Sequence, residues 1–158
     1  MTTKTADAPA LSPGRLAWSR RLSLAVCVLT GFRIGLDLVL LTGTTGVHAS
    51  RVDVVLQICA MAVVASMVLR GVRGWLGLGV ACLVYGIVVA LLQLPAHSNP
   101  WFGLLLAHYA ILLLTALALW VVGIERPPPH RARLTVAIGA GAVAGAVACV
   151  LLAGILAR

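Results

Sequence analysis

Apolar residues run through this chain in five long stretches, and short segments carrying Arg or Pro separate them. The stretches are Leu22–Leu41, Val52–Leu69, Trp75–Leu94, Trp101–Ile124 and Leu134–Ala157. None alternates with the two-residue period of a half-buried strand, and each is close to the ~20 residues that a helix needs to cross a bilayer. Lipid offers the backbone no hydrogen-bond partner, so a continuous apolar run of this length predicts a helix, which satisfies its own N–H and C=O groups. The pattern predicts an all-α membrane protein with five spans.

The connections refine that architecture. Thr42–Arg51, Arg70–Gly74 and Pro95–Pro100 are short, and short turns make consecutive helices antiparallel neighbours. An up-down four-helix transmembrane bundle over residues 22–124 is the expectation. Residues 125–133 (ERPPPHRAR) then form a stiff, extended linker, because three consecutive prolines cannot continue a helix. Residues 134–158 form a fifth helix of a different kind, rich in Ala and Gly. Gly141 and Gly145 make a GxxxG pair on a face shared with Ala137 and Cys149. Small residues at this spacing let helices approach closely in lipid. The pair predicts helix packing, either against the chain's own bundle or through self-association or a partner helix. Residues 1–21, with Thr, Ala, Pro and Ser followed by Arg15, Arg20 and Arg21, read as a disordered basic tail. The first apolar run is too long for a signal-peptide core and no cleavage site closes it, so it reads as an uncleaved span.

Composition agrees with a membrane protein: 61% of residues are hydrophobic and the mean hydropathy is +1.08. The charge decides orientation. Lys4, Arg15, Arg20, Arg21, Arg70, Arg73, Arg126, Arg131 and Arg133 fall on one side of a five-span layout, and only Arg51 and Arg158 on the other. By the positive-inside rule the N-terminus is cytoplasmic and the C-terminus extracytoplasmic, in the cell (inner) membrane. The net charge of +8 is therefore a topology signal with affinity for anionic lipid. It forms no continuous basic patch with interleaved aromatics, so nucleic acid is excluded as a partner. The lipid bilayer is the expected partner, with a larger membrane complex as a further one.

Polar residues inside the spans are the chemical leads. Arg33 and Asp37 stand four apart near the middle of span one, on one helix face. A charge at that depth costs ~2.5–3.5 kcal/mol on insertion scales, so both are expected to face the interior. The pair either neutralises itself to fix helix register, or binds a charged group or relays a proton. Gln57 lies one turn after Asp53 at the start of span two, and Gln93 closes span three. His108 lies roughly 12 Å into span four at 1.5 Å per residue. Arg33, Asp37, Gln57, Gln93 and His108 together define a candidate polar pocket in the outer half of the bilayer.

Several chemistries are absent. Cys27, Cys59, Cys82 and Cys149 each sit singly in a span, without metal-ligand or disulfide spacing. No phosphate loop, GxSxG, HExxH or paired-carboxylate motif occurs. The expected function is a non-enzymatic accessory or assembly subunit, or a small-solute transport component, and no cofactor is specified. A haem- or quinone-linked electron-transfer subunit with His108 as ligand is the alternative. A membrane enzyme using Asp37 or His108 as general base is a third. The run through Gln93, His97 and His108 resembles the outer turn of small haem-bearing membrane proteins. The Arg-bearing first span resembles small four-helix DoxX-type proteins. Each resemblance covers a few positions and carries no function across.

Overall fold

The computed structural model describes residues 12–43, 51–71, 73–93, 100–123 and 131–156. Among them every regular element is an α-helix: α1 (Pro13–Thr42), α2 (Arg51–Arg70), α3 (Arg73–Gln93), α4 (Pro100–Val122) and α5 (Arg131–Leu156). Three are long and apolar enough to cross a membrane, namely Pro13–Thr42, Arg51–Arg70 and Arg131–Ile155. Within α3 and α4, the segments Gly77–Val88 and Leu106–Val122 are apolar as well.

Helix starts and stops follow local chemistry. Pro13 occupies the first turn of α1, where its fixed φ suits the helix and its missing N–H costs nothing. This start corrects the expectation of a disordered tail for residues 13–21, which are helical. Leu16 is partly buried and Ser19 fully so, which places this extension against the rest of the molecule. Residues 1–11 lie outside the described residues, as do residues 124–130 of the Pro-rich linker. The linker's last three residues, Arg131 to Arg133, already belong to α5. Gly43, Gly71 and Gly123 end α1, α2 and α4 at positive φ, each donating its N–H back to a carbonyl in the last turn. A residue with a Cβ adopts that conformation only at a cost.

Helix α1 organises the packing. It lies against α2, α4 and α5, while α3 packs against α2 and α4. The core between these helices is formed by Val26, Cys27, Met61, Val64, Val68, Leu83, Leu112 and Leu119, all almost fully buried. The most extensive contact in the molecule joins the first helix to the last. There, four glycines bring two backbones together. A Cβ on Gly31 or Gly35 would collide with the carbonyl oxygens of Ile138 and Ala142, and one on Gly141 or Gly145 with those of Val28 and Phe32. Residue numbers increase together along both helices, so α1 and α5 run in the same direction. The Cα–H bonds of these glycines point at the facing carbonyls, a weak hydrogen bond recurrent where helices approach closely.

Candidate functional site

The buried face of α1 is polar along much of its length. Ser19, Ser23, Val26, Thr30, Arg33 and Asp37 follow one another at spacings of four, three, four, three and four, and all are buried. That period of 3.5 keeps one seam facing the neighbouring helices over more than four turns. Gly31 and Gly35 occupy another side of the same helix and face α5.

Arg33 is the centre of the site. It is 2% exposed and Asp37 is 0% exposed, so neither charge reaches the surface. Arg33 Nε donates to Asp37 Oδ2 at 2.9 Å, the i, i+4 pairing that a helix allows. Arg33 Nη2 donates to Gln57 Oε1 on α2, linking two helices. The guanidinium carbon also lies 4.9 Å from the ring centroid of Tyr109 on α4, a cation–π contact in a desolvated setting. The Tyr109 ring needs space of its own. Gly86 of α3 provides it, since a Cβ there would stand 3.2 Å from the ring edge. Four helices therefore define the surroundings of one guanidinium.

His108 is positioned beside this centre. Its Nε2 lies 3.1 Å from the carbonyl oxygen of Leu29, which can only accept, so Nε2 carries the proton. The ring stacks on Phe32 with centroids 5.4 Å apart. The nitrogen that commonly ligates iron is thus committed to a backbone carbonyl. Among the described residues no group of three or more His, Cys, Asp or Glu side chains is arranged to hold a metal ion.

Three buried polar atoms of the site have no hydrogen-bond partner among the described residues: Thr30 Oγ1, Arg33 Nη1 and Asp37 Oδ1. Native interiors leave few such atoms unsatisfied, and each costs about 1–3 kcal/mol when it stays so. All three belong to the same stretch of α1. Together they offer a guest a hydroxyl, two guanidinium N–H bonds and a carboxylate oxygen.

The five pocket residues read from the sequence are placed as follows. Arg33, Asp37 and Gln57 form one hydrogen-bonded chain, with His108 one turn away along α1 at Leu29 and Phe32. Gln93 is the last residue of α3, and its side chain lies outside the described residues. Asp53 is exposed in the first turn of α2 and stays apart from the site. His48 and His97 lie outside the described residues. Gly141 and Gly145 sit against the backbone of α1, not on an outer face. Sequence reasoning missed Thr30 and left Tyr109 out of the pocket. For Thr30 a signal existed, the 3.5-residue stripe of Ser, Thr and charged residues along α1. For Tyr109 the linear sequence holds no such signal, because the contact depends on how α4 is turned. Comparison of the chain with protein-family models, curated proteins and solved structures gave no match.

Proposed function

We propose that this chain is a non-enzymatic, multi-pass component of the cell (inner) membrane that binds a small polar solute at its Arg33–Asp37 centre, as part of a transport system. The helices form an up-down four-helix transmembrane bundle with α5 as a fifth span, N-terminus cytoplasmic and C-terminus extracytoplasmic. The centre then lies in the outer half of the bilayer. What supports the membrane setting is the apolar exterior, with Leu114, Val121, Val136, Val143, Leu151 and Ile155 each more than 60% exposed. Soluble monomers rarely present so much contiguous apolar surface.

One observation carries the solute reading: among the described residues a buried guanidinium and its carboxylate each keep an atom without a partner, as does the hydroxyl of Thr30 one turn before Arg33. A pair serving only to fix helix register gains nothing from unsatisfied atoms. A solute that accepts from Arg33 Nη1 and donates to Asp37 Oδ1 satisfies both. The guest class is a small molecule bearing both an acceptor and a donor, such as an amide, a hydroxy acid or a zwitterion.

The test is thermal unfolding of the purified full chain in detergent against a panel of small amides, hydroxy acids, amino acids and simple anions. At least one class should raise the midpoint of the wild type and leave the double variant Arg33→Met with Asp37→Leu unmoved. A panel without effect, or one acting equally on both proteins, would overturn the solute reading and leave an assembly subunit.

A further inference from the structure

We propose that the pocket between the end of α2 and the first turn of α5 binds a phosphate-bearing anion, with the headgroup of an anionic lipid as its source. Ser66, Leu69, Arg70, Arg131 and Thr135 line a shallow, widely open hollow of about 310 Å³. That is about ten times the ~30 Å³ share of one water in the liquid, room enough for a phosphodiester. The site is distinct from the Arg33 centre, and its lipid source rests on the membrane reading above.

Two arginines supply the recognition. Arg131 Nε donates to the carbonyl oxygen of Leu69 at 2.8 Å, across the gap between α5 and α2. This bond tethers the side chain and neutralises a carbonyl at the negative end of α2. The two Nη groups remain to face a guest in the planar fork that suits phosphate oxygens. Arg70, in the last turn of α2, adds a second exposed guanidinium.

The hydroxyls behave differently. Ser66 Oγ already donates to Val63 O and Thr135 Oγ1 to Arg131 O, so the site's donors are the guanidinium groups. Among the described residues no carboxylate lines the pocket. Asp53 lies at the opposite end of α2, roughly 25 Å away at 1.5 Å per residue. Nothing of opposite charge among the lining residues competes with an incoming anion.

A lipid is the better source because of where the pocket sits. It lies at helix ends, and the residue that follows Thr135 on α5, Val136, is an exposed apolar side chain. An acyl chain can lie along that surface while its phosphate enters between the arginines, an arrangement seen in basic pockets between spans.

The experiment uses the delipidated full chain and counts bound lipids by native mass spectrometry. Phosphatidylglycerol and phosphatidylcholine are added in parallel, with and without inorganic phosphate at matched ionic strength. Phosphatidylglycerol should bind more tightly than phosphatidylcholine, and affinity should fall about fivefold for Arg70→Gln and again for Arg131→Gln. Arg15→Gln removes an exposed charge outside the pocket and should lower affinity clearly less than either pocket variant. Arg70 makes no hydrogen bond to a described residue, so its variant reports binding even if Arg131→Gln disturbs the helix contact. Equal binding of the two lipids without competition by phosphate, or an equal loss in Arg15→Gln, would overturn the proposal. Competition by inorganic phosphate without preference for phosphatidylglycerol would support the anion site and overturn the lipid source. Release of the chain from membranes by alkaline carbonate would overturn the membrane reading alone, since the inorganic phosphate arm still reports on the pocket.

Discussion

Removing either member of the Arg33–Asp37 pair leaves the other as an uncompensated buried charge. Such losses cost about 3–5 kcal/mol, whereas replacing both members with apolar side chains of similar volume is often neutral. Arg33→Met and Asp37→Leu alone should therefore lower the unfolding free energy in mixed micelles by several kcal/mol, and the double variant should recover most of it. Two singly mutated proteins as stable as wild type would show that the charges are wetted. Gln57→Leu should rank below them, at roughly 1.5–3 kcal/mol, because it removes one hydrogen bond to a charged group and leaves the ion pair in place. His108 allows a sharper comparison. Its described bond is to a backbone carbonyl, and the side-chain amide of Gln can donate in the same way. His108→Gln should assemble nearly as well as wild type, and protein made with ample haem should show no Soret band. A stoichiometric band lost in the variant would put iron ligation ahead of the transport reading.

At the scale of the element, the contact between α1 and α5 rests on the absence of side chains. Gly35→Leu or Gly145→Leu would drive a side chain into the facing backbone, where no rotamer relieves the clash. Overpacking of that kind costs ~1–3 kcal/mol or more. Gly139→Leu and Gly154→Leu, at positions with open space around them, should stay within about 0.5 kcal/mol of wild type. Chemical unfolding of the four variants separates the two groups, and equal effects would refute the arrangement. The helices were readable because a long apolar run admits few alternatives. The Arg33–Asp37 spacing was readable because it is internal to one helix. The place of Gln57 near the start of span two pointed to the pocket, but its bond to the Arg33 guanidinium was not readable, nor was Tyr109 over the same group, since rotation of one helix against another leaves no trace in linear spacing. The first two turns of α1 were missed for a different reason. Arg15, Arg20 and Arg21 suggested a solvated tail, whereas Ser19 and the apolar side of Leu16 give that segment a buried face.

The whole molecule is tested through its orientation. Nine basic residues on one side against two on the other is a strong bias for loops this short. A reporter active only in the cytoplasm should work when fused after Arg73 or Arg131 and fail after His97. Cytoplasmic activity at His97 would overturn the five-span layout. The shared direction of α1 and α5 agrees with an odd number of crossings from one to the other, because helices one and five then enter the bilayer from the same side.

The pairing of the first helix with the last also sets an order of events during synthesis. Gly31 and Gly35 leave the ribosome long before Ile138 and Ala142, and all of α2, α3 and α4 is made in between. At ~5–20 residues per second that interval is on the order of ten seconds. Throughout it the glycine face of α1 lacks its partner. A nascent chain stalled in the Pro-rich linker should therefore stay sensitive to membrane proteases, and a separately expressed α5 segment should rescue it in trans.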